Sequence, residues 1–194
     1  VAPLACAAAN VIAALVLVLV LAPGTPLVVD VAERERFIRE NLVAWRAGWA
    51  VWMIAAATLL WCYVWWRARV NGPRSAIVIA AIGIIADWTA EVMLILGGPD
   101  RYSDVAPLAF FLTGAIANGL YTVAGIQLTV AMPLMPRART YAAFMWSAGL
   151  MLSLGAVIMQ PLITAIASAL LFGLFCPWCV WLWWRFRGGD ARGP

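Results

Sequence analysis

Apolar positions in this chain come in six runs, each closed by residues that break a helix or end one. The runs cover about residues 4–22, 42–66, 75–96, 105–132, 141–159 and 162–184. Between them stand Pro23-Gly24, Asn71-Gly72-Pro73, Gly97-Gly98-Pro99, Pro133 with Pro136, and Pro161. Crossing a bilayer takes about 20 helical residues at 1.5 Å per residue, and every run is near that length or longer. The pattern predicts an all-α, polytopic integral membrane protein: a six-transmembrane-helix bundle forming a single domain over residues 1–194. The first run reads as a span and not a signal peptide, because no basic segment precedes it and Ala22-Pro23 is a poor cleavage site.

Only one connection is long, and it is also the most polar. Asp30 followed by Glu33 has the form of a capping box, which predicts a short helix over about 30–41. Its charges alternate in sign, and Val31, Ile38 and Leu42 recur at helical spacing. A solvated surface helix running into the second span is the expectation.

Charge orients the bundle. Arginines cluster after spans two, four and six: Arg67, Arg69 and Arg74, then Arg137 and Arg139, then Arg185, Arg187 and Arg192. These eight face one acid, Asp190, whereas the other connections carry four arginines against six acids. By the positive-inside rule the arginine-rich side is cytoplasmic, with both termini on it. In size and topology the chain resembles small six-span bacterial proteins, so the expected location is the bacterial inner membrane.

Hydrophobic residues make up 65% of the chain and charged ones 11%. Soluble domains carry roughly a quarter charged residues, so a soluble class is excluded. The net charge of +4 reads as topology and headgroup attraction. Nucleic acid is not an expected partner, because no basic run is interleaved with aromatics outside the spans. The sequence contains neither lysine nor histidine. That removes a lysine Schiff base, bis-histidine haem and imidazole metal sites, and neither a cofactor nor a metal is expected. Of the twelve tryptophans, Trp61, Trp65, Trp66, Trp178, Trp181, Trp183 and Trp184 fall at the cytoplasmic ends of spans. Trp45, Trp49 and Trp52 share a face near an outer end. An aromatic belt at headgroup level is the expectation for both groups; Trp88 falls near mid-span.

Three ionisable residues lie inside spans. Asp87 and Glu91 are four apart on one helix face. Counted from Gly97, they lie about 15 Å and about 9 Å deep. Arg46 enters from the same side at a depth similar to Glu91, so an Arg46–Glu91 pair is allowed. Span four answers with Gly114, Asn118, Thr122 and Gly125 in a small polar stripe beside Tyr121, suited to close helix approach or to lining a cavity. The candidate ligand-binding or proton-coupling site is Asp87, Glu91, Arg46, Asn118 and Tyr121. Its bland counterpart is a polar clamp between helices.

Cys176 and Cys179 have the C-x-x-C spacing of dithiol redox sites. Cys6 and Cys62 fall in the same leaflet. A soft-metal or lipidation site is open too, but packing is the simplest account of buried cysteines. The motif resembles the vitamin K epoxide reductase family, which carries C-x-x-C on a membrane helix. The likeness stops at Cys176 and Cys179: that family has a second cysteine pair in a loop, and the connections here contain none. Kinship is rejected.

No histidine base, nucleophile elbow or P-loop is present, and the reading leans against an enzyme. The first expectation is binding of a lipid-like or small hydrophobic ligand in an outer-half pocket. Proton-coupled transport on Asp87 and Glu91 is the alternative. An accessory subunit of a larger complex and a thiol-redox protein complete the set. The expected partners are the bilayer, such a ligand, and either a second copy or a larger membrane complex. Gly149 and Ser153 on span five offer a docking face for a larger membrane complex.

Overall fold

The computed structural model describes residues 1–187; Asp190 and Arg192 lie outside the described residues. Six helical stretches are long and apolar enough to cross a membrane. The first is α1 (Ala2–Val16), continued by a π turn (Leu17–Leu21) and a 3-10 turn (Ala22–Gly24). A short amphipathic helix, α2 (Val31–Glu40), precedes the second span, α3 (Leu42–Val70). The third is α4 (Arg74–Gly97). The fourth is composite: a 3-10 turn (Pro99–Arg101), α5 (Tyr102–Phe111), a π segment (Leu112–Ala117) and α6 (Asn118–Val130). The last two are α7 (Pro136–Val157) and α8 (Pro161–Phe186).

Local signals account for these ends. Asp30 Oδ1 accepts from the Ala32 amide at 2.9 Å and caps α2. Pro136 and Pro161 occupy first-turn positions, where proline's missing N–H costs nothing. α3 closes on Asn71 in the left-handed conformation, φ 51°. Its helix outruns the predicted apolar run by a turn, through Arg67 and Arg69. Arginine is a good helix former and keeps its charged head in the polar zone.

The spans form a closed ring. α1 packs on α3 and α8, α3 on α4, α4 on the fourth span, α6 on α7, and α7 on α8. Large apolar side chains point outward from all six, among them Leu19, Val43, Ile85, Val130, Phe144 and Leu162. An exterior of this kind suits hydrocarbon, and the architecture is that of a multi-pass membrane protein.

Inside the ring are two apolar cores. One, toward the arginine-rich end, gathers Cys6, Tyr63, Trp66, Leu128, Trp146 and Trp178. The other, toward the opposite end, gathers Leu21, Ile38, Trp45, Trp49, Leu94 and Tyr102. Ile38 is fully buried in the second core, so α2 is more than a solvated surface helix: it closes that end of the ring. Tyr102 secures the closure by donating to the Gly24 carbonyl at 2.6 Å, with an exposed Arg39–Asp100 ion pair at 2.8 Å above.

The aromatic-belt expectation does not account for the buried part of the tryptophan set. Trp61 and Trp184 are exposed, but Trp45, Trp49, Trp66 and Trp178 are buried core residues. Interior partners draw some of them in. Trp45 Nε1 donates to the Leu94 carbonyl at 3.0 Å and Trp66 Nε1 to Met132 Sδ at 3.0 Å. Gly24 leaves the space that the Trp45 ring fills. The Gly149–Ser153 face is likewise turned inward, against Thr122 and Gly119 of the fourth span, and is not free for docking.

Candidate functional site

Asp87 sits between the two cores: Ala86 packs with the first and Ala90 belongs to the second. The residue is 5% exposed. Thr113 Oγ1 donates to Oδ1, and Tyr121 OH donates to Oδ2 at 3.1 Å. Both donors come from the fourth span. On a regular helix they would stand about 80° apart at 100° per residue. The π segment that contains Thr113 advances less per residue and swings it toward the Tyr121 face. Asn118 accompanies this irregularity, its Nδ2 donating to the Thr113 carbonyl at 2.7 Å. π turns of this kind occur disproportionately at functional sites.

Around Asp87 lies a cavity of about 60 Å³ to which every span contributes. Its polar lining is Asn10, Tyr63, Asp87, Thr113, Asn118, Tyr121 and Thr122; its aromatic lining includes Trp52, Trp146, Phe172 and Phe175. Among the described residues no arginine lines it. Tyr63 OH donates to the Tyr121 carbonyl at 3.0 Å and joins α3 to α6, whose Tyr121 hydroxyl bonds Asp87. Trp52 Nε1 is buried without a partner. A carboxylate oxygen has two lone pairs, so Asp87 retains acceptor capacity beyond its two bonds.

The structure brings together Asp87, Asn118 and Tyr121 of the predicted set and separates Arg46 from it. Arg46 is exposed, and its Nε donates to the Ile95 carbonyl at 3.2 Å. The pairing with Glu91 that their similar depth allowed does not form among the described residues. The final carbonyls of α4 lack helical partners and carry the negative end of its dipole. Trp45 and Arg46 take two consecutive ones, Leu94 and Ile95. Glu91 is left fully buried, with neither oxygen hydrogen-bonded among the described residues. Asp87 accepts from Thr113 and Tyr121, while Asn118 bonds the Thr113 carbonyl.

Thr113, Tyr63, Asn10 and Trp52 are site residues that sequence reasoning missed. Regular helical periodicity put Thr113 off the polar stripe, and only the π segment corrects that. The stripe itself serves two purposes. Gly114 and Gly125 admit Ala156 and Trp146 of α7, whereas Asn118, Tyr121 and Thr122 line the cavity.

The cysteines are arranged differently from the C-x-x-C reading. Cys6, Cys62 and Cys179 converge, their Sγ atoms all within 4.8 Å of one another. Cys176 stays outside this trio, on a groove between α1 and α8 lined by Leu4, Ala7, Val11 and Pro177. The trio joins residues far apart in sequence, and no local pattern announces it.

Fold and site together define a six-span helical bundle with an acidic, aromatic-walled central cavity. No protein-family model, curated protein or solved structure matches the chain.

Proposed function

We propose that this protein binds a compact ligand in its central cavity, presenting a protonated or hydrogen-bond-donating nitrogen to Asp87. One observation carries the reading: a buried carboxyl group, positioned by two donors, lines a cavity with aromatic walls and, among the described residues, no basic one. A carboxylate in a low-dielectric interior calls for a counter-charge, and aromatic faces attract organic cations. The size of the cavity favours the small end of the ligand range. Pockets for drug-sized molecules occupy about 300 Å³ or more, so a lipid chain suits it poorly. The proposed setting is the inner membrane of a bacterium, with the arginine-rich end in the cytoplasm.

Native mass spectrometry of the detergent-purified protein, wild type beside Asp87→Asn, tests this. A small stoichiometric adduct on the wild type, absent from an equally stable Asp87→Asn, is the expected result. Two clean apo masses would sink the proposal.

A second reading, proton-coupled transport, is favoured by Glu91. An acid with no bond to either oxygen, one turn from Asp87 on the same face, is a poor structural clamp and a suitable proton acceptor. Proteoliposomes would then show substrate-driven proton movement that Glu91→Gln abolishes.

A further inference from the structure

We infer that Cys6, Cys62 and Cys179 form a binding site for a single thiophilic metal ion, of the cuprous type. Three adjacent helices of the ring, α1, α3 and α8, each contribute one fully buried sulfur. A metal bound to three thiolates at about 2.3 Å sets its sulfurs about 4 Å apart. Sγ atoms all within 4.8 Å of one another need little adjustment to close on such an ion. A disulfide would require two of them to approach to about 2.05 Å and would strand the third thiol.

The donor set selects the metal. Among the described residues the cluster contains sulfur alone, with no carboxylate among its ligand atoms, and the chain has no histidine at all. Soft thiolate ligands favour Cu(I) and zinc, and disfavour magnesium and calcium. Structural zinc takes four protein ligands in a tetrahedron, and this cluster offers three. Each thiol that binds as thiolate releases its proton to solvent.

The surroundings suit a metal site as well. Asn10 Nδ2 is 3.4 Å from Cys6 Sγ and also donates to the Cys6 carbonyl at 2.8 Å. An N–H aimed at a ligating sulfur stabilises its negative charge and orients it. The same Asn10 lines the Asp87 cavity, so an occupied trio would be in contact with the wall of the ligand site. Cys176, one turn before Cys179, gives the neighbouring groove a thiol of its own and supplies an internal control.

The test uses the full chain, purified in detergent under anaerobic, reducing conditions and loaded with Cu(I) against a competing chelator. One copper per chain should be retained. Cys6→Ala, Cys62→Ala and Cys179→Ala should each lower retained copper at least tenfold, and Cys176→Ala should leave it unchanged. X-ray absorption at the copper edge of the wild type needs no variant, and should show a shell of sulfur only. The proposal is overturned by no retained copper, by equal loss in Cys176→Ala, or by nitrogen or oxygen neighbours at the metal. Zinc retained in place of copper, or a stable disulfide within the trio of the reduced protein, would overturn it equally.

Discussion

Glu91 is the residue whose environment is hardest to explain by packing alone. It is fully buried, its neighbours in the sequence serve an apolar core, and neither carboxyl oxygen has a partner. Burying a polar group without a hydrogen bond costs about 1–3 kcal/mol by mutational measures. Replacing it with an apolar side chain of similar length removes that cost. Glu91→Met is therefore expected to raise stability by about 1–3 kcal/mol, read as a higher midpoint of thermal unfolding in detergent. A lower midpoint would show that Glu91 has a stabilising partner in the folded protein. Asp87→Met is expected to behave oppositely, because Thr113 and Tyr121 would each lose their acceptor, whereas Asp87→Asn keeps an amide oxygen that accepts.

At the scale of elements, the fourth span and α4 are joined through Gly83. A Cβ at that position would stand 2.7 Å from Tyr121 Cε1 and 3.0 Å from Cδ1, with the Ala117 carbonyl oxygen at 3.3 Å. The Tyr121 ring would have to move, and its hydroxyl is one of the two donors that hold Asp87. Gly83→Ala should cost about 1–3 kcal/mol, as overpacking typically does. It should also weaken the adduct on Asp87 in native mass spectra, although residue 83 is not among the cavity-lining residues. A variant with wild-type stability and an undiminished adduct would show that Tyr121 does not need this close approach. The π segment acts on the same contact from the other side, because it turns Thr113 toward Asp87.

For the whole molecule, the arrangement that matters is the ring of spans and the contrast between its ends. The arginine-rich end carries Arg67, Arg69, Arg137, Arg139 and Arg185, and the cysteine trio lies toward it. The opposite end is closed by α2 and the Tyr102 contacts. With the native cysteines replaced by alanine, Glu35→Cys should react with a membrane-impermeant maleimide in intact spheroplasts. Arg137→Cys should react only after the membrane is opened. The reverse pattern would invert the proposed orientation and place the metal-binding thiols in the outer leaflet.

Much of this architecture is legible in the chain by itself. Six spans, their approximate limits, the capped α2 and the polar pair Asp87 and Glu91 follow from hydrophobic run length, helix breakers and helical spacing. These are local properties, set by bilayer thickness and backbone geometry. Asn118 and Tyr121 were legible for the same reason, since they share a helical stripe. Tertiary structure decided which groups meet. Arg46 lost Glu91 to the unpaired carbonyls of α4, because those carbonyls are nearer acceptors than a side chain one turn further in. Thr113 reached Asp87 only through a π turn that regular periodicity does not anticipate. Four tryptophans with the composition of a belt went into the cores, where Gly24 left room for the Trp45 ring and interior acceptors took the indole N–H groups of Trp45 and Trp66. Cys179 found Cys6 and Cys62, and not Cys176, because the closed ring makes α1, α3 and α8 neighbours. Spacing along a helix determines which residues share a face; only the packing of all six spans determines what that face meets.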